Sequence, residues 1–127
     1  MDKDKWQVQD DFWNSFGLPA YDENTVFTSG TMPAYPHITY EAKNGIWDQD
    51  LSLSASLWYR STSWKEISQK ADEILASIVH GKMVKVKGGY FWFKTPSGTP
   101  FAQRMAAEGD SSLRRIILTV TAEALTE

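Results

Sequence analysis

The sequence has no cysteine among its 127 residues. Disulfide frameworks, thiolate nucleophiles and thiolate metal sites are therefore excluded, and this composition fits a protein made in a reducing, intracellular compartment. Long hydrophobic runs are also missing, whereas a membrane-spanning helix needs about 20 consecutive apolar residues. The opening segment, Met1 to Lys5, lacks the basic and apolar pattern of a signal peptide. The sequence thus predicts a soluble protein with no membrane partner.

Residues that commonly carry chemistry are scarce. The only histidines are His37 and His80, and without cysteine they do not suggest a zinc site. Asp48 and Asp50 flank an expected turn, but the glycine and glutamate spacing of a calcium loop is missing. We therefore predict no catalytic residue, no metal ligand and no cofactor, and we do not expect an enzyme.

Charge argues against a protein whose main task is to bind phosphates. The formal net charge is −3 and the pI is near 5.4, whereas such proteins carry a basic excess. Aromatic residues, by contrast, are abundant: six Trp, five Tyr and six Phe exceed the needs of one small core. Some of these rings are expected to contact a partner.

Periodicity predicts a single domain over residues 1–127, with an unusually long loop at 18–36 that we expect to order on assembly. Apolar spacing predicts a short helix from Asp4 to Gly17 and a longer one from Trp64 to Ile78. Strands are expected at residues 38–42, 51–59, 83–87, 90–94 and 114–125. The predicted fold class is α+β: a mainly antiparallel sheet of about four to five strands, with one long helix packed on it and a shorter N-terminal helix.

Three local patterns predict how these elements begin and turn. Asn44-Gly45 is the favoured sequence of a tight hairpin turn, and Gly88-Gly89 is expected to supply the positive φ angles of another. Ser63 and Glu66 have the spacing of a capping box, in which each residue bonds the backbone of the other.

Candidate interaction residues come from three segments. One face of the second strand is small and smooth, and the fourth strand is aromatic on both faces, so both of its faces are expected to be covered. The long loop carries apolar rings that a merely solvated connection would not need. The candidates are Ser52, Ser54, Ser56, Trp58, Tyr90, Phe91, Trp92, Phe93, Tyr21 and Phe27.

The stretch from Pro36 to Ile78 resembles tail terminator (tail-completion) proteins of long-tailed bacteriophages and prophages. The likeness rests on a Pro-x-Ile-Thr-Tyr strand at residues 36–40, a strand ending in Trp58-Tyr59-Arg60-Ser61, and a helix with Ala71-Asp72-x-Ile74. The order of elements is also similar over residues 1–127 in outline.

This resemblance implies a virion tail protein, made in the cytoplasm of the bacterial host. It implies a homo-oligomeric ring, expected to be a hexamer, at the head-proximal end of the tail tube. Such a ring halts tube polymerisation and joins the tail tube protein to the head–tail connector protein, while DNA passes through its channel without specific binding. The alternatives are another head–tail connector or minor tail protein, a small accessory enzyme, or a nucleic-acid-binding module.

Overall fold

A computed structural model describes residues 3–25, 33–106 and 109–126. In this part of the chain there are two α-helices with defined ends, one 3₁₀ helix and seven strands, and residues 23–25 are also helical. The helices are α1 (Lys5–Trp13) and α2 (Lys65–Ile78), and the 3₁₀ helix is Asn14–Phe16. The strands are β1 (Ala20–Asp22), β2 (His37–Tyr40), β3 (Asp50–Arg60), β4 (Lys82–Val86), β5 (Gly89–Lys94), β6 (Ala102–Met105) and β7 (Leu113–Thr126).

The strands form one sheet, in the order β1-β2-β3-β7-β5-β4. β7 is its central strand: it pairs with β3 along one side and, on the other side, with β5 near its end and β6 near its start. β1 and β2 are parallel, whereas every other pair is antiparallel.

The predicted fold class is wrong. Among the residues that the structure describes, 41% are in strands and 25% in helices, and the strands form a curled mixed sheet of seven with short helices. The prediction missed β1 and β6, which are three and four residues long, and with β1 it missed the parallel pair. Strands this short show too few alternations to produce a pattern in the sequence.

Both α-helices pack on the same face of the sheet. Phe12 of α1 stacks on Phe93 of β5, with 3.9 Å between ring centroids, and Trp13 stacks on Tyr40 of β2. α2 buries four side chains towards β3 and β7, at the spacing that its sequence predicts: Ile67, Ala71, Ile74 and Ile78. The core lies between this face and the helices, and it includes Leu53, Leu57, Leu118 and Val120, none of which is exposed.

Local details depart from the sequence patterns in three places. The predicted capping box is wrong. The Ser63 hydroxyl accepts from the backbone N–H of Lys65, and the N-cap residue of α2 is Trp64, whose side chain makes no capping hydrogen bond. Asn44-Gly45 forms no two-residue hairpin, because β2 and β3 are joined by the longer segment 41–49. In the hairpin of β4 and β5 only Gly88 has a positive φ, of 90°, while Gly89 already belongs to β5.

Candidate functional site

The face of the sheet opposite the two helices, called here the outer face, collects most of the candidate residues. On β3 it carries the even-numbered positions, four of which are candidate residues, and β7 supplies their neighbours. β5 adds two rings, because Trp92 lies beside Glu123 and Tyr90 beside Leu125. The central residues of the outer face are Ser52, Ser54, Ser56, Trp58, Arg115, Ile117, Thr119, Thr121, Tyr90 and Trp92.

The structure therefore brings candidates from distant parts of the sequence onto one surface. Tyr21 joins them, since it pairs with Thr39 on β2 and is 38% exposed. Phe91 and Phe93 do not, because their side chains are buried in the core of the protomer, and their contact with a partner stays a prediction. Phe27 lies outside the described residues.

The middle of the outer face is polar, flat and made of short side chains. Ser56 is nearly buried and accepts a hydrogen bond from Nε of Arg115 at 3.1 Å. The indole N–H of Trp58 donates to the Thr39 hydroxyl at 2.9 Å. Because Ser56 and the Trp58 indole N–H already have partners here, another chain can cover these two groups without leaving them unpaired.

Partly exposed rings on and around this face lie beneath cations. Arg115 covers Trp58 with its guanidinium carbon 4.8 Å from the ring centroid, and Lys94 and Lys85 cover Trp92 and Tyr90 at 4.5 and 4.6 Å. Cation–π contacts of this kind contribute about 0.5–1 kcal/mol at exposed positions. They also reduce the bare apolar surface of a free protomer. In the protomer the outer side of β5 is only partly covered, since Tyr90 is 39% exposed, so coverage of both faces of β5 stays a prediction.

A buried histidine stands at one corner of the outer face. His37 is fully buried, and its ring lies near those of Tyr21, Tyr35 and Trp58. Its Nδ1 lies 3.1 Å from the Ala34 carbonyl oxygen, and because a carbonyl only accepts, Nδ1 carries the proton. Nε2 is then unprotonated and has no partner among the described residues.

Acidification is expected to destabilise the protein through this residue. Burial lowers the pKa of His37 below its ordinary 6.5, although the hydrogen bond to Ala34 opposes that shift. Below pH about 6.5 the unfolded histidine binds a proton that the folded one does not, so stability falls as pH falls towards the folded pKa. Urea unfolding of the wild type at pH 7 and pH 5 should show this loss, and the His37→Gln variant should show less of it.

His80→Gln is the matched control, because His80 is an exposed residue after α2. It should keep the pH dependence of the wild type. Equal pH dependence of stability in the wild type and in His37→Gln would contradict the inference that His37 causes the loss. An NMR titration of the His37 ring tests its pKa directly.

Next to Arg115, a small pocket of about 70 Å³ holds two carboxyl groups. Glu23 and Glu41 line it together with Ser54 and Ser56. Burial raises the pKa of Glu23, and the neighbouring charge and hydrogen bond of Glu41 raise it further, while Arg115 opposes the shift. The pocket is far smaller than the 300–1,000 Å³ typical of sites for small molecules.

A larger pocket, of about 550 Å³, opens at the N-terminal end of α2. It is lined by Trp64, Met105 and Arg114 among others. The guanidinium groups of Arg104 and Arg114 lie 5.1 and 5.2 Å from the Trp64 ring centroid. Arg114 donates to the carbonyl oxygens of Ser111, Leu113 and Thr62, which ties two loops together. The main contacts of Arg114 thus stabilise the local fold.

In the part of the chain that the structure describes, no group of three or more histidine, aspartate or glutamate side chains is placed to hold a metal ion. In the same ranges, no helix has the length and apolar character needed to cross a membrane.

Comparison of the whole chain with protein-family models, curated proteins and solved structures gives no match.

Proposed function

We propose that this chain is a structural protein of the tail of a long-tailed phage or prophage, of the tail terminator type. Copies of it form a ring at the head-proximal end of the tail tube, which stops tube polymerisation and joins the tail to the head. The protein acts by assembly rather than by catalysis. Its partners are further copies of itself, the tail tube protein and the head–tail connector protein.

The observation that carries this proposal is the outer face. α1 and α2 lie on the opposite side of the sheet, so the strands present a broad face of short polar residues with rings at its margins. Tryptophan, tyrosine and arginine, which are enriched at the energetic centres of interfaces, occur together there as Trp58, Trp92, Tyr21, Tyr90 and Arg115. Such a surface suits burial against another protein.

The segment that carries the family resemblance contributes directly to this surface. Residues 36–78 fold as β2, β3 and α2, which are consecutive in the chain, and β2 and β3 are neighbours in the sheet. The Ser52 to Trp58 positions of the outer face belong to the same segment. The resemblance and the candidate surface thus support the proposal through the same residues.

Deleting the gene from its phage or prophage is the primary test. We expect the protein in purified virions by mass spectrometry, and we expect the deletion to give tails of abnormal length or tails without heads in electron micrographs. Normal particles would contradict the proposal. A monomer that binds DNA with a steep salt dependence and ignores tube protein would favour the nucleic-acid-binding alternative.

Complementation then tests the outer face. The Ser54→Lys variant should fold but fail to restore normal tails, because it puts a long charged side chain into the flat centre of the face. Gln69→Lys, on the exposed side of α2, is the matched control and should complement. Full complementation by Ser54→Lys would show that this face stays uncovered in the particle.

A further inference from the structure

β6 leaves one of its two sides free. Among the described strands it pairs with β7 alone, and its first three residues are exposed. The backbone N–H of Thr119 donates to the Phe101 carbonyl oxygen at 2.8 Å, so these two residues form a hydrogen-bonded pair. Such pairs alternate along an antiparallel ladder, so Gln103 bonds β7 while the backbone groups of Ala102 and Arg104 point away from it. Among the described residues these outward groups have no hydrogen-bond partner.

A free strand edge of this kind can pair with an extended segment of another chain, because its N–H and C=O groups bind the backbone of that segment. Proteins often protect such edges with proline or with a covering element. β6 contains no proline, and Ala102 is exposed although its side chain is short. β6 can therefore accept a further strand of about four residues.

A depression lies beside this edge, on the helix side of the sheet. Its volume is about 270 Å³, and it is lined by residues of α2 and β6 and by Ile116 of β7. Ala102 and Arg104 pair with Leu118 and Ile116, which are buried on the helix side, so their own side chains point to that side too. Alternate side chains of an added strand would point the same way and enter the depression.

Two cations without carboxylate partners lie at one end of the depression. The guanidinium groups of Arg104 and Arg114 both lie over the Trp64 ring. Arg104 donates to the Ser68 hydroxyl at 3.0 Å, and Arg114 donates to three carbonyl oxygens, so the acceptors of both are neutral. Neither forms an ion pair in the part of the chain that the structure describes. This end therefore attracts an acidic side chain.

Asp72 gives the depression a direction. It lines the depression one helical turn after Ser68, which bonds Arg104. In paired strands, opposite charges that face each other are favourable and like charges are unfavourable. An acidic side chain opposite Arg104 is thus attracted, whereas one at the Asp72 end is repelled. The site selects a segment whose acidic residue lies at the Arg104 end.

A second copy of this chain is a poor donor of such a segment. Of the stretches that connect the strands, residues 26–36 and 95–101 contain no acidic side chain. The stretch 41–49 contains some, but the side chain of Gln9 holds its backbone to α1. Asp110, which follows β6, already pairs with Arg60. The donor is therefore a different protein.

We propose that β6 and the depression beside it bind an extended segment of a different protein, which adds to the sheet as a further strand and places an acidic side chain opposite Arg104. This binding does not require the proposed function. Only the identity of the donor rests on it, because the proposed function makes the donor another protein of the tail. The outer face stays free for a separate contact.

The first test uses two synthetic peptides and the isotope-labelled full chain. Both peptides alternate threonine and valine over about seven residues, with glutamate at the centre of one and lysine at the centre of the other. The glutamate peptide should shift the NMR signals of the Ala102 and Arg104 amides and slow their hydrogen exchange. The Gln103 amide, already bonded to β7, should keep its exchange rate. The lysine peptide should bind about tenfold more weakly. No change at Ala102 and Arg104 with millimolar glutamate peptide would overturn the inference.

Ala102→Pro tests whether the bound segment pairs with the strand edge. Proline removes an N–H that points away from β7, and edge strands tolerate proline at such positions. The variant should unfold at the same urea concentration as the wild type and bind the glutamate peptide at least about tenfold more weakly. Ala102→Ser keeps the N–H and is the matched control, with binding like that of the wild type. Equal binding by Ala102→Pro would rule out strand addition.

Arg104→Glu tests the charge that selects the segment. This variant should bind the glutamate peptide more weakly and the lysine peptide more tightly than the wild type does. Lys87→Glu makes the same charge change at an exposed residue after β4, far from β6, and should bind both peptides as the wild type does. An unchanged preference in Arg104→Glu would contradict the acidic occupant.

Cross-linking in assembled particles identifies the donor. Gln103 is exposed on β6, so a photoreactive p-benzoylphenylalanine in its place should cross-link to a segment that contains aspartate or glutamate in another tail protein. Adding Ala102→Pro should abolish this product. A cross-link to a second copy of this chain would overturn the assignment of the donor. Peptide binding combined with normal particles after gene deletion would overturn the proposed function alone, whereas defective tails without peptide binding would overturn this inference alone.

Discussion

Replacing Gly89 by alanine is expected to destabilise the fold by about 3 kcal/mol or more, the upper range for inserting atoms into a well-packed site. A Cβ at this position would overlap the backbone carbonyl oxygen of Leu125, and it would lie 3.0 Å from the ring of Trp47. Backbone cannot move aside as a flexible side chain can. The pairing of β5 with the end of β7 must therefore shift, which urea or thermal unfolding would reveal.

Gly45→Ala is the matched control for this experiment. The nearest atom to its added Cβ is Cδ1 of Leu51 at 3.5 Å, an ordinary van der Waals distance, and its φ is not positive. Alanine there should change the free energy of unfolding by no more than about 0.5 kcal/mol. Equal stability of the two variants would show that β5 and β7 do not approach as closely as described.

Replacing Phe93 by alanine should cost about 3–5 kcal/mol, the usual range for deleting a buried ring. Phe93 is fully buried, stacks on Phe12 of α1 and contacts Phe91 edge to face. Its loss leaves a cavity between α1 and the sheet. The unfolding midpoint should fall sharply, and α1 should show faster amide hydrogen exchange because its main ring contact with β5 is gone.

Replacing Tyr90 by alanine tests whether the two faces of β5 have different roles. Tyr90 lies on the outer face and is 39% exposed, so truncation should cost less than about 1 kcal/mol. The change should weaken assembly of the protein with its partners, and it should leave the stability of the protomer nearly unchanged. If Tyr90→Ala destabilised the protomer as much as Phe93→Ala, the assignment of the two faces would be wrong.

The long elements are readable in the sequence because many residues repeat the same spacing. Alternation predicted strands at 51–59 and 114–125, and the structure has them at Asp50–Arg60 and Leu113–Thr126. The apolar spacing of Ile67, Ala71, Ile74 and Ile78 likewise placed a helix where α2 lies.

The number and order of the strands in the sheet could not be predicted from local spacing in this way. β1 exists because Ala20 to Asp22 meets β2, and β6 because Ala102 to Met105 meets the start of β7. Their partners lie some distance along the chain, so nothing in the local pattern of either segment distinguishes it from a loop. Without these two strands, the predicted sheet of about four to five strands was too small, and the fold class was wrong.

The candidate surface was predictable residue by residue along β3 but not along β5. Serines at alternate positions identify one side of β3, whereas Tyr90, Phe91, Trp92 and Phe93 give both sides of β5 similar character. Only the register with β7, which sets Phe93 beside buried Ala122 and Trp92 beside Glu123, decides which rings enter the core.

The central position of β7 also governs how fast the domain can form. β3 ends at Arg60 and β7 begins at Leu113, yet these two strands pair along their whole lengths. The intervening chain must lose much of its freedom before that pairing yields any stabilisation, and such topologies fold in roughly milliseconds to seconds. During that interval β3 has an unpaired side, so the newly made chain depends on closing this long-range contact before it meets another copy.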